Sequence, residues 1–262
     1  MGYESNVVVI GLGEIGRPLL EILRRSYNTY GKDVGPIEVP SPVSVLHICY
    51  PFQIADFVGS TIKYIDEFKP SLTIIHSTVQ PGTTESIAKR VSSKLAYSPV
   101  RGKHFRMEQD LIGYAKFVAS NDPSASQEAA VHLENAGMRI QIMNSYQSLE
   151  LAKLLETSYF GLLIAWAQEM ERYCRELGCD YSQVMQFMDE IEIFPPVIYQ
   201  PGFIGGHCVI PNTHLLDRVR RSCLIDAIRV SNEIKRAECD KQGNSLSERV
   251  APIPKQKMLE KN

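Results

Sequence analysis

The string Gly11-Leu12-Gly13-Glu14-Ile15-Gly16 stands directly after the apolar run Val7-Val8-Val9-Ile10 and opens a segment of helical period. Three glycines at this spacing suit the cradling of a pyrophosphate. Gly11 permits a tight turn, Gly13 lets a phosphate approach the backbone, and Gly16 lets the helix pack closely on the strand. Glu14 and Ile15 fall at the helix N-terminus, whose unpaired N–H groups attract anions. Asp33 lies 20 residues beyond Gly13, near the expected end of a second strand. An acid there hydrogen-bonds adenosine ribose hydroxyls, which favours NAD over NADP. A solvated turn aspartate is the plainer reading of Asp33, and Lys32 beside it softens the discrimination.

These groups need a parallel sheet to hold them. Apolar, β-branched runs at 6–10, 43–49 and 72–76 alternate with helical periods at 14–26, 53–68 and 83–93, which predicts an α/β domain with a Rossmann-type parallel sheet. Residues 35–42 are too few for the usual second crossover helix. Further strands are expected at 95–97, 114–119 and 139–142, with a helix at 124–136. From Ser145 the pattern turns helical: one long helix at 147–177, another at 181–191, a Pro- and Gly-rich stretch at 195–206, and a last helix at 213–236. The expected organisation is a cofactor domain at 1–144, a smaller all-helical domain for substrate and dimerisation at 145–236, and a mobile tail at 237–262.

Composition narrows the partners. The chain has 262 residues, 44% of them hydrophobic, and a formal net charge of -2, so nothing marks a nucleic-acid or anionic-membrane surface. Its six cysteines form no CxxC pair, which argues against a metal site or a disulfide framework and for reduced thiols in the cytoplasm. No run is long enough to span a membrane. The long helix carries more apolar positions than the remaining chain can cover, which predicts a homodimer.

Further motifs follow the glycine turn in order: His76-Ser77-Thr78-Val79-Gln80-Pro81-Gly82-Thr83-Thr84, Tyr97-Ser98-Pro99, Glu150-Leu151-Ala152-Lys153-Leu154, and Pro201-Gly202-Phe203-Ile204-Gly205-Gly206-His207-Cys208-Val209-Ile210-Pro211. Together they resemble the UDP-glucose, UDP-N-acetylhexosamine and GDP-mannose dehydrogenase family over residues 6 to about 216. The resemblance implies that Cys208 attacks an aldehyde intermediate and that Lys153 assists at the reacting oxygen. It further places Thr78 at the cofactor cleft and Thr157, Gly205, Gly206, His207 and Asn212 in the substrate site. The chemistry of the residue types agrees. A thiolate on a glycine-rich loop can form a thiohemiacetal, and apolar helix neighbours would partly desolvate the Lys153 amine. Arg101, with Lys103 and His104, could hold an anionic substrate group, although an exposed basic loop would look the same. Trp166 reads most simply as a packing or dimer residue, and His76 as either a cleft residue or a locally bonded strand-end histidine.

The chain also departs from the family pattern. Val100 replaces a glutamate after Ser-Pro, Thr157 an asparagine and Asn212 an aspartate, so full oxidation to an acid lacks its usual acid and base groups. Too little chain follows Asn212 for the family's second α/β unit. Three readings result: an NAD-dependent oxidoreductase of a hydroxyl or aldehyde using Cys208 and Lys153, a two-electron dehydrogenase of the hydroxyacid type in which Cys208 is structural, or an NAD-binding scaffold without catalysis.

Overall fold

A computed structural model of the chain describes residues 6–189, 197–198, 201–219, 221–241 and 253–254. It divides into two compact units, Met1–Lys153 and Leu154–Asn262. The sequence places the change of character at 144–145, where the strands of the sheet cease; the units meet later, inside a helix.

The first unit is a seven-stranded sheet in the order β2-β1-β3-β4-β5-β6-β7. Its strands are β1 (Asn6–Ile10), β2 (Asn28–Lys32), β3 (Val43–Ile48), β4 (Leu72–Ile75), β5 (Lys94–Tyr97), β6 (Ala115–Ala119) and β7 (Arg139–Met143). All neighbouring pairs are parallel except β5 and β6. That antiparallel step departs from the expected parallel sheet. It follows from a return by way of α4 (Met107–Gly113), a helix that the sequence pattern does not predict.

The apolar strands are explained by burial on both faces. Val7 and Val9 join one core with Leu19, Leu23, Ile74 and Leu133, while Val8 and Ile10 join the other with Leu46, Ile48, Ile75 and Tyr97. Side chains alternate across a strand, so a sheet covered on both sides needs apolar residues at every position. Each fully buried Val or Leu contributes about 1.5–3 kcal/mol, and β1 has four consecutive residues at or below 1% exposure.

The covering helices are α1 (Gly16–Leu23), α2 (Phe57–Phe68), α3 (Thr83–Ala88), α4 and α5 (Pro123–Asn135). Asp56 begins α2 by accepting the Gly59 N–H, and Asp122 begins α5 by accepting the Ser124 N–H, with Pro123 at the first helical position. No helix joins β2 to β3, as the short 35–42 segment predicts.

The helix α6 (Tyr146–Leu177) carries the chain from the first unit into the second, which continues with α7 (Tyr181–Asp189), α8 (Val209–Val219) and α9 (Cys223–Lys241). The single helix predicted over 213–236 is therefore two. Ser222 starts the second by accepting the Ile225 and Asp226 N–H groups through its carbonyl. Ile164, Ile204, Val209 and Ile228 form the core of this unit. At Gly161 a Cβ would meet Val209 Cγ1 at 2.6 Å, so glycine lets α8 lie close against α6. A two-residue antiparallel pair, Val197–Ile198 with Ile253–Pro254, adds strand structure that the sequence pattern does not predict. Of the tail at 237–262, α9 takes the residues up to Lys241, and all the rest except 253–254 lies outside the described residues, as do 190–191 of the helix predicted at 181–191.

Candidate functional site

The glycine turn sits where the sheet reverses its order. β2 lies on one side of β1 and β3 on the other, so the carboxyl ends of β1 and β3 border the crevice in which open α/β sheets bind ligands. Gly11 follows β1 with φ +89°, and a Cβ there would stand 2.7 Å from the Tyr50 nitrogen. Gly16 is tighter still, because its Cβ would fall 1.8 Å from the Gly11 oxygen. Gly13 is the opposite: it is exposed, and a Cβ would meet nothing within 4 Å. The turn is thus packed underneath and open on top, where a diphosphate would need access to the backbone. Glu14 is exposed, and Ile15 is the N-cap residue of α1 without a side-chain cap. Asp33 is exposed immediately after β2. A dinucleotide diphosphate would find room above Gly13 and no obstructing side chain there.

Tyr50 links this turn to the segment after β4. Its carbonyl accepts the Ser77 hydroxyl at 2.6 Å, and its own hydroxyl meets Thr61 Oγ1 at 2.6 Å. The half-buried Thr78 follows Ser77. At the far end of the segment, Glu150 of α6 accepts hydrogen bonds from Gly82 and Thr84. Lys153, half-buried, is one turn further along α6.

Near these groups lies a buried polar chain that the sequence does not foretell. The His76 Nδ1 is 2.8 Å from the Ser98 carbonyl, His47 Nδ1 is 2.8 Å from His76 Nε2, and His132 Nε2 is 3.0 Å from His47 Nε2. A carbonyl only accepts, so His76 carries its hydrogen on Nδ1. It then accepts from His47 Nδ1–H, and His47 in turn accepts from His132 Nε2–H. With all three rings neutral, every contact has one donor and one acceptor. Burial holds His47 and His76 well below the usual imidazole range, and it lowers His132 to about 4. Of the two readings of His76, the locally bonded strand-end histidine is the one observed.

Lys116 ends this chain. Its Nζ donates to the Ser98 and Pro99 carbonyls at 2.9 and 3.2 Å. Burial, assisted by the positive charges of Lys153 and Arg101 and opposed by Cys49, brings its pKa down to about 7. Burial likewise pushes the Cys49 thiol up to about 12, with Lys116 opposing. Arg101 lies over the Phe117 ring at 4.9 Å and donates to the Ala115 carbonyl at 2.6 Å.

In the second unit, Gly205 is half-buried while Gly206, His207 and Cys208 are exposed. Cys208 immediately precedes α8, and its carbonyl accepts the Asn212 N–H at 3.1 Å. The thiol therefore belongs to the end of the helix that bears positive partial charge. Thr157 and Asn212 are brought together: Asn212 Nδ2 donates to Thr157 Oγ1 at 2.9 Å, and Thr157 donates to the Leu154 carbonyl at 3.0 Å. Both are buried, so this pair is neutral and bonded within itself. Asn232 of α9, another residue missed from sequence, bonds both the N–H and the carbonyl of Ile204, at 2.7 and 3.1 Å. Gln168 donates to the Gly202 carbonyl at 2.7 Å. Together they fix the irregular segment that leads to Gly205–Cys208. Among the described residues no group of His, Cys, Asp and Glu is arranged to hold a metal ion, and no helix is long and apolar enough to cross a membrane.

Residues 147–236 match the central domain of the UDP-glucose/GDP-mannose dehydrogenase family. The chain carries a domain of that family. It is 24% identical to the UDP-N-acetyl-D-mannosamine dehydrogenase of Methanocaldococcus jannaschii over 88% of this chain, and spans 66% of that protein. The fold is that of a UDP-D-ManNAc dehydrogenase from Pyrococcus horikoshii, with a TM-score of 0.78 at 21% identity, covering 91% of this chain and 72% of that one. A 3-hydroxyisobutyrate dehydrogenase from Mycobacterium tuberculosis shares the fold with a TM-score of 0.67 at 15% identity, and there the match covers 92% of this chain and 94% of the other. The resemblance inferred from the ordered motifs therefore stands, as does the α/β architecture.

Proposed function

We propose that this chain binds NAD on the Gly11–Gly16 turn and acts as an oxidoreductase on a hydroxyl or aldehyde group, in a nucleotide sugar or another anionic small molecule. The observation that carries this reading is the turn itself: crowded beneath Gly11 and Gly16, open above Gly13, and set at the β1/β3 switch point. Gly11, Gly13, Glu14, Ile15 and Gly16 would hold the diphosphate, and Thr78 would line the nicotinamide side. Asp33, exposed beyond β2, suits the ribose hydroxyls and hence NAD over NADP. When bound, the nicotinamide supplies a hydride acceptor. Lys153 would steady the reacting oxygen, and the exposed thiol of Cys208 is the candidate nucleophile toward an aldehyde. The shared positive field of Lys116, Lys153 and Arg101 suits an anionic substrate.

A two-electron reaction without covalent catalysis is the second reading, favoured by the Thr157–Asn212 bond. Two neutral side chains that satisfy each other do not activate water for hydrolysis of a thioester. Cys208→Ser separates the two: retained turnover supports the second reading, and lost turnover with intact NAD binding supports the first.

We also propose that the chain is a homodimer. Leu155, Tyr159, Trp166, Tyr173 and Leu177 on α6 are 50 to 77% exposed and recur on one face of the helix. Sedimentation as a monomer at every concentration refutes this. Six free thiols suit the cytoplasm as its setting.

The deciding experiment is a calorimetric titration with NAD, NADH and NADP, repeated on Asp33→Ala. Preferential NAD(H) binding that this substitution weakens is the expected result. Absence of binding overturns the cofactor reading.

A further inference from the structure

Glu150 is a wholly buried carboxylate in the second turn of α6, and both of its oxygens are engaged by one distant segment. Oε2 accepts the Gly82 N–H at 2.6 Å. Oε1 accepts the Thr84 N–H at 2.9 Å and the Thr84 hydroxyl at 2.6 Å. Burial raises the Glu150 pKa against the pull of these donors. A buried charge of this kind is costly unless donors surround it, and the donors here come from a single loop. Neighbouring contacts hold the helix in the same place. Tyr146 Oη reaches the Leu95 carbonyl at 2.9 Å and Ser120 Oγ at 3.0 Å, and Gln147 Nε2 reaches Glu85 Oε2 at 3.4 Å.

The segment from Ser77 to Thr84 is consequently pinned at two points. Ser77 is fixed to Tyr50, whose backbone lies under the Gly11 turn, and Gly82 and Thr84 are fixed to Glu150. Thr78 lies between the pins, and Lys153 lies one turn beyond Glu150 on the same helix.

We propose that Glu150 is a positioning residue for the nucleotide site, holding the Ser77–Thr84 loop on α6 so that Thr78 keeps a fixed place beside the glycine turn. This assignment rests on the NAD reading above. Glu150 touches no cofactor atom in this role; it acts through the loop. A simple helix cap would contribute to stability and leave ligand affinity alone.

The test is NADH binding, followed by nicotinamide fluorescence, for the wild-type chain, Glu150→Gln, Thr78→Val and the double variant. Glutamine keeps the shape but turns one NH₂ group toward an N–H donor, either that of Gly82 or that of Thr84. The expected result is a folded Glu150→Gln protein, judged by far-UV circular dichroism, whose Kd for NADH rises about tenfold. Thr78→Val should weaken the wild type yet add little to Glu150→Gln, because residues acting through one element are non-additive. Wild-type affinity in Glu150→Gln, or fully additive losses, overturns the assignment alone. A wild-type chain that does not bind NADH overturns the cofactor reading and this assignment with it. Should Glu150→Gln fail to fold, Thr84→Val decides, since it removes one of the three donors. Weaker NADH binding with faster amide exchange at Gly82 supports the role, and unchanged binding overturns it.

Discussion

Lys116 makes a quantitative test of the buried chain beneath the crevice. The residue is 5% exposed, and its amine titrates at about 7 in the folded protein, against 10.5 when free in water. Between these values the unfolded chain binds more protons than the folded one, so stability must rise with pH. A tenfold change in proton affinity is worth about 1.4 kcal/mol, so the burdened lysine costs about 4 kcal/mol at pH 7 and about 2 kcal/mol at pH 9. Lys116→Met keeps the apolar stem and removes the titration. It also leaves the Ser98 carbonyl one donor short and strips the Pro99 carbonyl of its Lys116 bond, a penalty of about 1–3 kcal/mol that does not depend on pH. The variant should therefore equal or exceed wild-type stability at pH 7 and fall below it, or lose most of its advantage, at pH 9. Urea unfolding of both proteins, followed by far-UV circular dichroism at half-unit steps, measures the difference directly. Curves for the two proteins that run parallel from pH 7 to 9 would refute the reasoning, because a lysine that titrates alike in both states makes no such slope.

Gly11→Ala and Gly13→Ala should part company: the first loses about 2 kcal/mol or more of stability, from a left-handed φ and a contact with the Tyr50 backbone, while the second unfolds like wild type and loses NADH affinity in a fluorescence titration. His132, lowered from 6.5 to about 4, should by itself remove about 2 kcal/mol of stability as pH falls from 7 to 5, and His132→Phe should reduce the fall in urea midpoints by that share, leaving the part due to His47 and His76. Asn232→Ala strands the N–H and carbonyl of Ile204 and should destabilise the second unit by about 2–4 kcal/mol, seen as an earlier thermal transition in Trp166 fluorescence.

The parts of this molecule legible in its sequence are those whose physics is local. Three glycines with three different backbone tasks announce the turn, and strands covered on both faces show as unbroken apolar runs. The break between α8 and α9 is hidden because no Pro or Gly stands between Thr213 and Arg236. α4 is hidden as well: Asp110 stabilises its approach by binding the Lys103 N–H and the Arg106 guanidinium, a tertiary device with no periodic signature. Thr157 and Asn212, 55 residues apart, each read in the sequence as a missing family group, and only the fold shows them bonded to one another. His47 lies on β3, His76 just after β4 and His132 on α5, so no spacing could mark them as a chain.

The polar residues that sequence reasoning could not assemble share one region of the sheet. His47 and Cys49 stand at the end of β3, His76 after β4 and Ser98 after β5, where each apolar run gives out. Polar groups in the middle of such strands would face a core on either side and remain unpaired. At the carboxyl edge they reach one another and the backbone, so burial is tolerated. The toleration is incomplete, as the lowered pKa of Lys116 shows. A fold selected for stability alone would place methionine or leucine at this position. The basic group kept there instead, in the electrostatic range of Lys153 and Arg101, would lend positive charge to an anionic ligand at the carboxyl edge, as the proposed function requires.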